Sequence, residues 1–307
     1  MQTTIRYPVS FSGVGLHSGE MSNLRIVPAP VGRGIVFRRL DARLEACEIP
    51  ARWDLVDQSP LCTRIVNAHG VSVSTIEHVM AALSGCGISN AVLEVSGPEV
   101  PVLDGSSAQF VRGILARGIR RQEAPLTALR VRKPVEVRRG EAHAVLMPSD
   151  RLSIEFEIEF DDAAIGTQRK CLNMSNGSFV RELSSARTFC RQADVDAMRA
   201  NGLALGGASG VNAVVFDGDQ VVSPGGLRQP DEPVRHKMLD ALGDLALAQY
   251  PVLGHYKGVR SGHATTNQLL RQLFSDPENY ELVPCLAEMA AQLPGAGVQW
   301  DEIPQVA

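Results

Sequence analysis

Leu152-Ser-Ile-Glu-Phe-Glu-Ile-Glu-Phe160 sets five apolar side chains, Leu152, Ile154, Phe156, Ile158 and Phe160, at every second position. Successive side chains of a strand point to opposite faces, so the run predicts a strand with one face buried and the other wet. A sheet of such strands needs helices or a second sheet over its dry face. Strands are predicted just upstream at 131–138 and 142–147. Helical stretches follow at about 178–186, 193–201, 234–248 and 265–274. The second part of the chain therefore runs strands first and helices later.

The first part repeats that plan. Its first 65 residues are rich in Val, Ile, Gly and Pro, with short alternating runs at 23–27 and 34–38 that read as strands joined by turns. Ser74-Thr-Ile-Glu77 has the spacing of a capping box and opens a helical run at 76–83, which stops at Gly85 and Gly87. A strand is expected at 91–95, and a second helix after Asp104-Gly-Ser-Ser107, reaching about residue 117. The charged, proline-containing Arg120-Arg-Gln-Glu-Ala-Pro125 reads as a linker. These patterns predict an α+β protein of two domains of similar plan, 1–124 and 125–307.

Composition narrows the function classes. The 307 residues are 44% hydrophobic and 21% charged, with a formal net charge of −4 and no basic block, which argues against a nucleic-acid backbone as partner. Aromatic residues, at 5%, are too few for stacking on bases to be the main business. The six cysteines are scattered without a C-x-x-C pair, which fits unpaired thiols in a reducing compartment. No signal peptide and no stretch near 18 apolar residues is read, so the expected address is the cytoplasm, with no membrane span.

Chemistry concentrates in His236-Lys-Met-Leu-Asp-Ala-Leu-Gly-Asp244. On a helix His236 and Asp240, four apart, share a face, as an imidazole and a carboxylate able to hold one divalent metal. Gly243 lies on that face and leaves room for something to approach, and Asp244 extends the acidic stripe. Met238, Leu239, Leu242 and Leu245 supply a packing face. The pair alone is equally an ordinary surface contact worth a few tenths of a kcal/mol. His78 supplies a third ligand, giving a His2Asp set that leaves a fourth position open for water. Glu77 becomes the candidate base, although the third position of a capping box also serves the cap's own amide. His263, in a glycine-containing turn before a helix near Thr265, becomes the candidate acid. His17, His69, His143 and His255 have no such neighbours and read as structural or surface residues. No nucleophile elbow, P-loop or H-E-x-x-H is present, so the residues point to metal-assisted hydrolysis.

Six segments in order carry a resemblance: Ser12-Gly-Val-Gly-Leu-His-Ser-Gly19, Ser74-Thr-Ile-Glu-His78, Pro101-Val-Leu-Asp-Gly105, Ala186-Arg-Thr-Phe189, Arg235-His-Lys-Met-Leu-Asp240 and Ser261-Gly-His263. Together, over about residues 3–295, the chain resembles the UDP-3-O-acyl-N-acetylglucosamine deacetylases, zinc enzymes that commit Gram-negative bacteria to lipid A synthesis. The resemblance implies a β-sheet layer packed on helices in each domain, with the site between the helical layers. It implies zinc, or ferrous iron in the cell, on His78, His236 and Asp240. It makes Glu77 the general base and His263 an imidazolium kept protonated by Asp244. Thr188 becomes a hydroxyl donor to the oxyanion, and Lys237, Phe189, Leu61 and Gly207 substrate contacts. The segment at about 191–214 becomes the insert forming a passage for the acyl chain. The implied partner is the small molecule UDP-3-O-acyl-N-acetylglucosamine, and the implied state a monomer. Cys190, Ala248-Gln249-Tyr250 and Thr265-Thr266 depart from the family's usual residues, which touches pocket shape rather than chemistry. Two alternatives stay open: an amidohydrolase for another acylated sugar nucleotide, and a silent binder, which would be expected to lack Glu77 or His263.

Overall fold

A computed structural model of the chain describes residues 1–57 and 61–305. Its first main sheet has five strands in the order Val9–Val14, Met21–Pro28, Ala91–Val95, Ile35–Arg39, Glu48–Pro50. All neighbours are antiparallel except Ile35–Arg39, which runs parallel to Ala91–Val95. The alternation in Met21–Pro28 buries Leu24 and Ile26, beside Phe37, Ile49 and Leu93 of the neighbouring strands. The second main sheet has seven strands, along Val135–Arg139, Ala142–Pro148, Val252–Val259, Thr127–Val131 and Tyr280–Pro284. Leu152–Glu159 joins it parallel to Val252–Val259, and Thr167–Asn173 pairs antiparallel outside.

Helices fill the space between the sheets. Helix α1 (Glu77–Gly85) packs on α2 (Ala108–Arg117), which lies against Val9–Val14; Phe11 and Phe110 meet edge to face, 5.0 Å between centroids. A short helix, α3 (Gln192–Ala200), belongs to a small sheet described below. Helix α4 (Glu232–Leu245) packs on α1 on one side and on Leu152–Glu159 and Thr167–Asn173 on the other, and α5 (His263–Phe274) covers Val135–Arg139 and Ala142–Pro148. Ile154, Phe156 and Ile158 are buried as their spacing predicts. Mixed helices and sheets in this arrangement make the α+β class expected from the sequence. No helix among the described residues is long and apolar enough to cross a membrane.

Several local expectations are corrected. The capping box at Ser74–Glu77 does not form: the Ser74 hydroxyl donates to the Pro98 carbonyl, and Ile76, with no side-chain cap, precedes the helix. Glu99 draws the Thr75 hydroxyl to its carboxylate at 2.8 Å, holding Thr75 in a left-handed conformation (φ 58°) and turning the backbone away from cap geometry. The expected linker is structured at its start, where Ile119–Arg121 pairs antiparallel with Thr3–Ile5 and Gln122 donates to the Ala29 carbonyl. The run at 131–138 is two strands, broken before Val135 by Pro134, whose ring lacks an N–H to pair. Of the helical stretch at 178–186 only one wide π-turn, Phe179–Leu183, exists. Strand Val252–Val259, paired on both sides at the heart of the larger sheet, escaped the sequence reading because Gly254 and Gly258 interrupt its pattern. Both glycines are steric necessities: a Cβ at Gly254 would sit 2.9 Å from Val131, and one at Gly258 2.8 Å from Phe156.

Candidate active site

Helices α1 and α4 run against each other with almost no gap. A Cβ on Gly243 would fall on the Glu77 carbonyl oxygen and 3.2 Å from the Ala81 nitrogen. The space that Gly243 leaves is thus filled by the backbone of α1. This approach sets His78, in the first turn of α1, opposite His236 and Asp240 of α4. Their ligand atoms lie within 4.8 Å of one another, and all three side chains are buried.

The donor set fits a divalent metal on three observations. His236 Nδ1 donates to the Ala186 carbonyl at 3.0 Å, which leaves Nε2 free to ligate, 3.3 Å from Asp240 Oδ1. His78 Nε2 lies 3.8 Å from the same oxygen, and the two imidazole rings stand edge to face at 5.0 Å. Asp240 Oδ1 is buried without a hydrogen-bond partner among the described residues, a costly state for a carboxylate oxygen unless a cation satisfies it. Protonation states agree. Burial lowers His78 to about 3, helped by His236, and burial likewise lowers His236, so both offer neutral nitrogens. Burial opposes ionisation of Asp240, but His236, Lys237, His263 and His78 outweigh it and hold its carboxyl well below the usual carboxylate range.

Beside this group stand a carboxyl and an imidazole that are both raised above their ordinary range. Burial pushes Glu77 up to about 7, against the pull of His263. Burial would lower His263, but the Asp244 and Glu77 carboxylates, the hydrogen bond to Asp244 and then Asp240 raise it to about 9. His263 Nδ1 donates to Asp244 Oδ2 at 2.9 Å, while Nε2 faces Glu77 Oε1 at 3.8 Å and Asp240 Oδ2 at 3.9 Å. His263 is no flexible loop residue: it is the first residue of α5, largely buried, after Gly262 in extended backbone. A helix N-terminus disfavours a cation; the three carboxylates around this one override that.

The other expected residues are distributed as follows. Thr188 is half-buried, one residue after Arg187; its amide donates to the Gly105 carbonyl at 2.8 Å and its carbonyl accepts from Val214 at 2.9 Å. Gly105 turns with φ 81°, and a Cβ there would fall on the Asn212 carbonyl, which explains the glycine closing Pro101–Gly105. The Phe189 ring stands edge to face with His236 at 6.3 Å. Lys237 Nζ donates to Asp240 Oδ2 at 2.8 Å. Leu61 is exposed, two residues before Thr63, and Gly207 sits in a turn whose carbonyl accepts from Arg199. The region at 191–214 is a strand–helix–loop–strand unit: Phe189–Arg191 pairs parallel with Val214–Asp217, with α3 between them. Its loop docks on the glycine-rich N-terminal motif, Leu205 and Gly206 donating their amides to the carbonyls of His17 and Leu16.

Four features of the site carried no sequence signal. Thr63 reaches both Glu77 and Asp244. Glu99 accepts the His17 and Ser18 amides at 2.9 Å, fixing the loop that carries His17. His17, expected to be a structural or surface residue, has both ring nitrogens buried without hydrogen-bond partners among the described residues. Burial lowers its pKa, Glu99 opposes this, and the charge of His263 lowers it further, so the ring senses the site. Glu232 in the first turn of α4 accepts from Arg187 N and Nε at 2.9 Å each, tying the Thr188 segment to the helix that bears His236. The partners in each case lie far apart in the chain, beyond any local spacing.

The family model described as UDP-3-O-acyl N-acetylglycosamine deacetylase matches residues 2–275. A UDP-3-O-acyl-N-acetylglucosamine deacetylase of Shewanella frigidimarina is 44% identical over 284 residues, 92% of each chain. One of Idiomarina loihiensis is 43% identical over 291 residues, 94% of each. A buried His2Asp group flanked by Glu77 and His263, inside a match of this extent, places the chain in the UDP-3-O-acyl N-acetylglycosamine deacetylase family.

Proposed function

We propose that the protein hydrolyses the acetamide of UDP-3-O-acyl-N-acetylglucosamine, releasing acetate and the free amine, a step of lipid A biosynthesis. The observation that carries this reading is the convergence, from three helices, of the His78–His236–Asp240 group with Glu77 and His263. His78, His236 and Asp240 hold the metal, zinc by preference with ferrous iron as the cellular alternative. When bound, the metal polarises the scissile carbonyl and lowers the pKa of water.

The chain's own groups do the rest. Glu77, poised near neutrality, takes the proton of the attacking water through Oε1 and returns it to the leaving nitrogen. His263, held as imidazolium by Asp244, sets positive charge beside the developing oxyanion and leaving group. Thr188 offers its hydroxyl to the oxyanion. Lys237, Phe189, Leu61 and Gly207 contact substrate, and the 191–214 segment encloses the acyl chain. A division into domains at 124/125, a monomeric state and a cytoplasmic address complete the reading.

The test is release of acetate from UDP-3-O-acyl-N-acetylglucosamine of varied acyl length, with and without a chelator. Turnover lost on chelation and restored by zinc is expected. Activity indifferent to chelation would overturn the metal assignment, and no acetate at any chain length would overturn the substrate.

A further inference from the structure

Thr63 lies on neither α1 nor α4, yet all three of its polar groups are spent on the site. Its amide donates to Glu77 Oε2 at 3.0 Å, its hydroxyl donates to Asp244 Oδ1 at 2.5 Å, and its carbonyl accepts the Ile76 amide where α1 begins. The residue is buried, and the strand that follows it, Arg64–Val66, is paired on both sides, with Val56–Asp57 and with Ser72–Val73. It is therefore anchored independently of the helices it serves.

The terminal torsion of a carboxylate is soft, so an unrestrained Glu or Asp samples many orientations. Thr63 occupies one oxygen of each carboxylate. That leaves Glu77 Oε1 directed at His263 and Asp244 Oδ2 as the acceptor for His263 Nδ1. Two carboxylates separated by 167 positions in the chain are oriented by the same residue. We infer that Thr63 is a positioning residue that sets the relative orientation of the base and of the carboxylate holding the acid. The inference rests on the roles proposed above for Glu77, Asp244 and His263.

Thr63→Val keeps the amide and the shape while deleting the hydroxyl. A hydrogen bond to a charged group is worth enough for kcat to fall about 10–100-fold. KM is expected to stay within about two-fold and metal content to stay stoichiometric, because the lost hydroxyl is bonded to Asp244, which is neither a proposed ligand nor a proposed substrate contact. Thr63→Ser should restore kcat to within about three-fold of the parent. In an Asp244→Asn background Thr63→Val should cost little, since its effect passes through Asp244. If Thr63→Val does not fold, Thr63→Ala is read the same way. Parent-like kcat in these variants, failure of Ser to rescue, or a full additional loss in the Asp244→Asn background would each overturn the inference. Glu77→Gln and His263→Gln run in parallel keep the two readings apart. If these retain activity, the proposed acid–base roles have failed; if they are inactive while Thr63→Val is not, only the role of Thr63 has.

Discussion

Glu77 and His263 sit 3.8 Å apart, and their environments raise both groups while keeping the usual order of a carboxylic acid below an imidazole: the carboxyl rises to about 7, the imidazolium to about 9. In the roles proposed above, Glu77 as base works deprotonated, above its pKa, and His263 as acid works protonated, below its own. Both correct forms coexist between the two values, so kcat/KM should trace a bell with its limbs near 7 and 9. A bound dication favours the carboxylate and moves the acidic limb lower. Glu77→Gln should erase the acidic limb and His263→Gln the basic one; a profile whose limbs survive both substitutions would assign them to other groups. These two residues were readable because each sits beside a recognisable neighbour: Glu77 next to His78 at a helix start, His263 after glycine. The upward shift of both was not, because it depends on Asp244 and on burial, and neither is a local property of the chain.

At the scale of the element, the α1–α4 contact governs whether the site exists. Alanine at Gly243 would gain about 1 kcal/mol in helix propensity over glycine. Its Cβ, however, falls on the Glu77 carbonyl, and such overpacking costs typically 1–3 kcal/mol or more, so the clash wins. Because α1 carries both Glu77 and His78, any movement that relieves the clash also displaces the proposed base and the proposed ligand. Gly243→Ala is expected to lower the melting temperature and to cut turnover about 100-fold, the scale of a misplacement near 1 Å. Calorimetry and an acetate-release assay check the two, and a stable, fully active variant would show that α1 can recede harmlessly. Helix α4 was legible from 3.6-residue periodicity together with its His and Asp. The approach of α1 was legible only as an unexplained glycine, since what fills that space comes from 166 residues away. The capping box was a false signal of the same kind: Ser74 and Glu77 have the correct spacing, but the Pro98 carbonyl takes the Ser74 hydroxyl and the Thr63 amide takes the Glu77 carboxylate.

The whole molecule is closed by a segment beyond the family match. After strand Tyr280–Pro284, the chain passes through the short helix Ala287–Ala290 and crosses to the far side of the helical layers. Leu293 is buried beside Ala128 and Leu253; Gly295, with φ 85°, presses its backbone on that of Gly87; Glu302 pairs with Arg181 at 2.7 Å; and the Pro304 carbonyl accepts from Arg112. This strap covers a cavity of about 810 Å³ lined by Met80, Leu83, Leu242 and Leu245, none of them a ligand residue. Truncation after Pro284 exposes that lining and removes the buried Leu293 and Ile303. A loss on the order of 3–5 kcal/mol follows, or roughly 5–15 °C in melting temperature. Turnover at low temperature should persist, since His78, His236, Asp240, Glu77 and His263 all precede the cut. Loss of catalysis without loss of stability would instead give the strap a direct part in the chemistry. None of this strap was legible in the sequence, whose alternation of Gly, Pro and Ala from 290 to 297 has no period.

The order of strands also has a kinetic meaning. The five-stranded sheet takes all its strands from residues 9–95, but the strand at the heart of the seven-stranded sheet is Val252–Val259, pairing with segments some hundred residues upstream. During synthesis the first sheet can close early, while Ala142–Pro148 and Leu152–Glu159 wait with unpaired edges for their common neighbour to emerge. Long-range and parallel pairings form slowly because loop closure must precede them. The exposed, alternating face of Leu152–Glu159 is thus the segment most open to wrong association in a half-made chain. His263, the proposed acid, is the last of the proposed site residues to be made, so all three proposed metal ligands precede it out of the ribosome.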